Sequence, residues 1–171
     1  LRVVQHSDRE GPDLVAETAL EQGMSIQTIR PGQGDPLPDP ISTQNTIALL
    51  LGGPMGVEDR HQDALAWMQR ELEWLTRWHQ QRQPVLGICL GAQLLAVATG
   101  GSVKPLQVGV PPQPLKEVGF GAIHWLTKPS KEPLLRGLQP NELVLHWHGD
   151  RILLPSTATL LGSSLHCQEQ V

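Results

Sequence analysis

The chain has 171 residues, 39% of them hydrophobic and 18% charged, which is enough for one globular domain with a substantial core and short for two. Thirteen basic against seventeen acidic side chains leave a formal charge of -4, with no run of Lys or Arg, so neither nucleic acid nor an anionic membrane is expected as a partner. The two cysteines, Cys89 and Cys167, form no CxxC pair or dense framework, which argues against a disulfide scaffold and fits a cytoplasmic setting; "LRVVQHSD" lacks the apolar length of a signal peptide.

Apolar strand-like runs then alternate with helical patterns, the signature of a parallel sheet with crossover helices. Leu1 to Val4 reads as the first strand. Gly11-Pro12 opens a helix that stops at Gly23. Met24 to Ile29 reads as a second strand, and "RPGQGDPLPDP" as a loop punctuated by Pro and Gly. Thr46 to Leu51, "TIALLL", has no polar alternation, as expected of a central parallel strand buried on both faces. It empties into "GGPMG". From about His61 to Gln81, Leu65, Met68, Leu72 and Leu75 recur at helical spacing and predict an amphipathic helix over the sheet, with Trp67, Trp74 and Trp78 as packing residues. A strand from Val85 leads to Cys89, and a helix follows that stops at Gly100-Gly101. Beyond that point "FGAIHWLT" and "ELVLHWHGD" look like strands with little helix between them, and antiparallel pairing at one side of the sheet is expected.

The stretch "PVLGICLGAQLLA" places Cys89 between Gly87 and Gly91 where a strand turns into a helix. At such an elbow the nucleophile takes a strained backbone conformation, and nearby glycines remove Cβ atoms that would collide as strand and helix converge. A helix start also brings amide N–H groups near the sulfur and favours its thiolate. The Leu90 amide can then point at the oxygen of a tetrahedral intermediate. For a second donor the choice is Gly53, because a glycine loop at the C-terminal end of a central strand lies where ligands bind in such sheets. His146 and His148 lie at strand spacing with Asp150 two residues on; zinc needs further ligands, none stands at recognised spacing, and no metal is expected. Cys167 has no glycine context and reads as a plain side chain.

"LLLGGPMGV", "PVLGICLGAQLLA" and "LHWHGD", in that order, resemble the class I glutamine amidotransferases, in particular stand-alone domains similar to the glutaminase part of GMP synthase. The resemblance implies that Cys89 attacks the side-chain amide of glutamine, releasing ammonia and leaving a γ-glutamyl thioester that water hydrolyses. It also implies an oxyanion hole from Gly53 and Leu90, and a glutamine pocket that Gly52, Gln93 and His148 help to form. No cofactor is expected; glutamine or a glutamine-like molecule is the expected ligand, and an ammonia-accepting synthetase the expected partner. The expected fold is α/β, a three-layer flavodoxin-like sandwich with a mostly parallel central sheet and an antiparallel C-terminal portion, in one domain over residues 1–171.

The family takes its base from a His-x-Glu on a late strand, and none occurs in this sequence. His166 is followed by Cys167 and Gln168, while His146 and His148 match an earlier family segment. The expectation is therefore that the chain lacks the C-terminal part of the domain and is inactive as it stands. Two alternatives stay open: a non-catalytic relative that keeps the pocket for binding, and a cysteine hydrolase acting on γ-glutamyl or ester substrates.

Overall fold

The computed structural model describes residues 1–41 and 45–171. It divides into two compact units, Leu1–Thr99 and Gly100–Val171.

The first unit runs β1 (Arg2–Val4), α1 (Asp13–Glu21), β2 (Gln27–Ile29), β3 (Ala48–Leu50), α2 (Ala66–Gln80), β4 (Val85–Gly87) and α3 (Leu90–Ala98). Its strands form one parallel sheet in the order β2-β1-β3-β4. This is the doubly wound order of flavodoxin-like folds, in which ligands gather outside the C-terminal strand ends. Ala48, Leu49 and Leu50 are fully buried, as the absence of polar alternation requires. Because successive strand side chains point to opposite faces, Val3, Leu49 and Leu51 form one cluster with Val15 of α1, while Leu50 faces Gly91 of α3. Helices thus cover both faces of β3.

Three elements are clearly shorter than the sequence predicts, the first being β3, which spans Ala48–Leu50 of the expected Thr46 to Leu51. The second strand begins at Gln27, not Met24, because β1 offers its first partner at Arg2, in register with Gln27, while Met24 instead donates its amide to Ala19 at the end of α1. The helix expected from His61 begins at Ala66; the residues before it form two 3-10 turns, Val57–His61 and Asp63–Leu65. On α2, Trp67, Trp74 and Trp78 are all buried, in keeping with their packing role, and the indole N–H groups of Trp74 and Trp78 donate to the carbonyls of Pro38 and Pro84 at 2.6 and 3.1 Å.

The second unit contains β5 (Ser102–Pro105), β6 (Gln107–Val108), β7 (Gln113–Pro114), β8 (Glu117–Trp125), β9 (Asn141–His148), β10 (Asp150–Leu153) and β11 (Gly162–Ser163). The pairing is antiparallel throughout: β8 with β9 and β11, β5 with β10, β6 with β7. Among the described residues no helix is long and apolar enough to cross a membrane.

Candidate active site

Cys89 stands between β4 and α3 with φ 53° and ψ -113°. A side chain in this left-handed region costs of order 1–3 kcal/mol and persists only where its surroundings over-determine it. The surroundings here are tight. A Cβ on Gly87 would come within 2.7 Å of the Ala92 backbone, and one on Gly91 within 2.6 Å of the Leu50 Cβ. Backbone bonds complete the turn: Ile88 donates to Leu50 at 2.9 Å, and Gly91 donates to Leu51 at 3.1 Å and to Ile88 at 2.9 Å. The Cys89 side chain is left exposed.

β3 and β4 are adjacent and parallel, so the loop after β3 emerges beside the elbow. The position a Gly52 Cβ would occupy lies 3.5 Å from the Cys89 Cβ, and that of Gly53 lies 2.9 Å from Leu90 Cδ2 and 3.1 Å from the His6 Cβ. Gly52, Gly53, Cys89 and Leu90 therefore share one corner of the first unit. Gln93 follows one helical turn on, mostly buried, its backbone N–H donating to the Cys89 carbonyl at 3.1 Å.

His148 belongs to the second unit and has its own partners there. Its Nδ1 donates to the Asp150 carbonyl at 2.9 Å, and its Nε2 lies 2.9 Å from Glu117 Oε2. Ser164 Oγ and Gln170 Nε2 also donate to the Glu117 carboxylate, each at 2.7 Å. Glu117, His146 and His148 offer ligand atoms within 4.8 Å of one another. Glu117 is the third group that sequence spacing did not bring beside the histidine pair, because it arrives by cross-strand pairing with His148. Cys167 is buried, and burial pushes its thiol above the ordinary cysteine value.

Two features of the Cys89 corner were missed in the sequence. The Glu10 carboxylate overlaps the place a Gly52 Cβ would take, and so lies in the same corner. His6 and Glu71 form a pair whose side chains are both inaccessible to solvent, with Nε2 2.9 Å from Oε1. A signal for Glu71 existed. Trp67, Glu71, Trp74 and Trp78 form one helical row, and an acid among tryptophans marks a buried carboxylate needing a partner.

Comparison with known proteins agrees with this architecture. The sequence profile of the family described as Glutamine amidotransferase class-I matches residues 17–169, and the chain belongs to that family. It is 28% identical over 169 residues to the glutamine amidotransferase-like protein YfeJ of Salmonella typhimurium, spanning 98% of this chain and 67% of that protein. It is 30% identical over 117 residues to a glutamine-hydrolyzing GMP synthase component from Ignicoccus hospitalis, spanning 68% of this chain and 53% of that protein. The crystal structure of a Thermotoga maritima glutamine amidotransferase superposes with a TM-score of 0.85 at 25% identity, covering 99% of this chain and 68% of that one. A glutamine amidotransferase from Methylobacillus flagellatus gives 0.82 at 29% identity, with 99% and 63% covered. The chain thus spans between 53% and 68% of the length of these relatives, and only 15% of a Lactobacillus delbrueckii GMP synthase that it matches over 85 residues at 34% identity.

Proposed function

We propose that the chain carries the nucleophile half of a glutaminase site, and that Cys89 opens the side-chain amide of glutamine. The observation that supports this most is the positive φ of Cys89 at a strand-to-helix turn, with the Gly52-Gly53 loop beside it. In the proposed step the Cys89 thiolate bonds to the amide carbon, and the carbonyl electron pair moves onto oxygen. The Gly53 and Leu90 amides stabilise that oxygen. Collapse breaks the C–N bond, the departing nitrogen takes a proton and leaves as ammonia, and water then cleaves the thioester to glutamate and the thiol. Gly52 and Gln93 are proposed to border the bound glutamine. The histidine base of the family has no His-x-Glu counterpart in this sequence.

The domain is proposed to be a single class I amidotransferase-like domain, cytoplasmic, serving a synthetase that consumes the ammonia. Support for the glutamine substrate comes from relatives named as glutamine-hydrolyzing GMP synthases. The test is an assay for glutamate and ammonia from glutamine in the full-length protein and its Cys89→Ala variant. Turnover that disappears in the variant is expected; turnover retained without the thiol removes Cys89 from the mechanism.

A further inference from the structure

His6 and Glu71 are buried and ionisable, and the chemistry above leaves both unused. His6 Nε2 lies 2.9 and 3.1 Å from the two Glu71 carboxylate oxygens, and Nδ1 lies 2.9 Å from the Leu51 carbonyl and 3.2 Å from that of Gly52. The ring stacks on Trp67, centroids 5.6 Å apart and planes 17° from parallel. All these polar neighbours are acceptors. Opposite the Glu71 carboxylate, the imidazole satisfies both sides when both nitrogens carry protons, Nε2–H donating to Glu71 and Nδ1–H to the two carbonyls.

Stability alone does not explain such a pair. Taking two charges out of water is costly, and apolar residues of similar volume often serve a core equally well. Its placement gives a different reason. The Gly52 carbonyl and the Gly53 N–H belong to one planar trans peptide and point in opposite directions, and glycine on either side leaves that plane little intrinsic restraint. A donor fixed on the carbonyl therefore fixes the direction of the N–H. Leu51, the other carbonyl held by His6, also accepts the Gly91 amide at the elbow, so one imidazole references the loop to the turn that carries Cys89.

We propose that His6, clamped by Glu71, is a positioning residue that orients the Gly52-Gly53 peptide so that the Gly53 N–H meets the oxygen created when Cys89 attacks. This rests on the glutaminase reading of Cys89 and Gly53. Glu71 prevents the ring from rotating, and the Trp67 stack holds its plane.

The test uses the full chain and two variants: the double variant His6→Phe/Glu71→Leu, which keeps an apolar ring on Trp67 and leaves no buried charge unpaired, and Glu71→Gln, whose amide can donate to Nε2 and keep the proton on Nδ1. The first readout is the rate of Cys89 modification by a chloroketone analogue of glutamine, divided by the rate with iodoacetamide. The ketone reacts through a thiohemiketal whose oxygen needs the donor, before sulfur displaces chloride; iodoacetamide loses iodide directly and forms no such oxygen. The ratio is expected to fall roughly 10- to 100-fold in the double variant and to recover most of that loss in Glu71→Gln, because misplacing one preorganised donor has effects of this order. The second readout is the order of the Gly53 amide by NMR relaxation, expected to drop in the double variant. A Gly53 amide equally ordered in both proteins overturns the inference, as does a loosened amide with an unchanged ratio. A wild-type protein in which the chloroketone has no advantage over iodoacetamide overturns the nucleophile reading instead; the Gly53 amide then still decides whether His6 holds the peptide.

Discussion

Gly91 lies so close to Leu50 that a Cβ on residue 91 would sit 2.6 Å from the Leu50 Cβ and 2.7 Å from its carbonyl carbon. Two effects oppose one another in Gly91→Ala. Helix propensity favours alanine by about 1 kcal/mol in a helix interior, whereas overpacking against backbone costs about 1–3 kcal/mol. At the first turn of α3 propensity counts for less, so the clash should win. Urea denaturation is expected to show a loss of about 1–3 kcal/mol, with slower modification of Cys89 as the elbow opens. A variant more stable than wild type would mean that strand and helix have room to part.

The strain at Cys89 gives an unusual order of stabilities. Relief of a positive φ is worth about 1–3 kcal/mol, and glycine gives back about 0.5–1 kcal/mol in chain entropy. Cys89→Gly should therefore equal or exceed the wild type in melting temperature, and Cys89→Ala should stay close to it, while neither turns over glutamine. A marked loss of stability in Cys89→Gly would show that the thiol, rather than the backbone around it, holds the turn.

The two cysteines should differ sharply in reactivity. Cys89 is exposed, whereas Cys167 is 1% exposed and its thiol is pushed up by burial, so iodoacetamide should modify Cys89 first in folded protein. The Glu10 carboxylate in the Cys89 corner adds a charge effect. Replacing it by Glu10→Gln should speed anionic iodoacetate several-fold more than neutral iodoacetamide, and added salt should shrink the difference. Equal acceleration of both reagents would mean that Glu10 obstructs the thiol without acting through its charge.

Burial lowers the affinity of His6 for its proton, but the Glu71 hydrogen bond and charge and the two carbonyls outweigh it, so its pKa is raised above the ordinary 6.5. The folded state then binds this proton more tightly than the unfolded chain. The resulting stabilisation is fully present below about pH 6.5 and is lost as pH rises through the folded value. The melting temperature of the wild type should therefore fall relative to that of His6→Phe/Glu71→Leu as the pH is raised from about 6 to about 9. A difference constant over that range would mean that folding leaves the proton affinity of His6 unchanged.

The elbow was legible because its signals are local. Gly87, Cys89 and Gly91 lie within five residues, so the glycines that let strand and helix converge stand beside the residue they expose, although Leu50 and Leu51 of the neighbouring strand and its loop also hold the turn. The buried β3 was legible from "TIALLL" for the same kind of reason, since a strand covered on both faces has no use for polar alternation. The His6–Glu71 pair spans 65 positions, and periodicity on α2 separates apolar from polar without saying which polar residue turns inward. Glu10 and Glu117 were hidden in the same way, each brought to its neighbours by pairing or loop closure between distant segments. The shortened second strand has another cause, because its length is set by the residues of β1 available to pair with it.

His6, Gly52-Gly53 and Cys89 each follow a different strand of one ladder, at β1, β3 and β4, with Arg2, Ala48 and Val85 in line across the sheet. The spacing at the C-terminal edge is thereby coupled to the phase of the core. Sliding β3 by one residue moves its loop by about 3.3 Å along the strand direction and exchanges the faces of Leu49 and Leu50. A frame-preserving deletion inside this strand therefore cannot trade the alignment of His6, the glycine loop and Cys89 against packing, since the same slip spoils both.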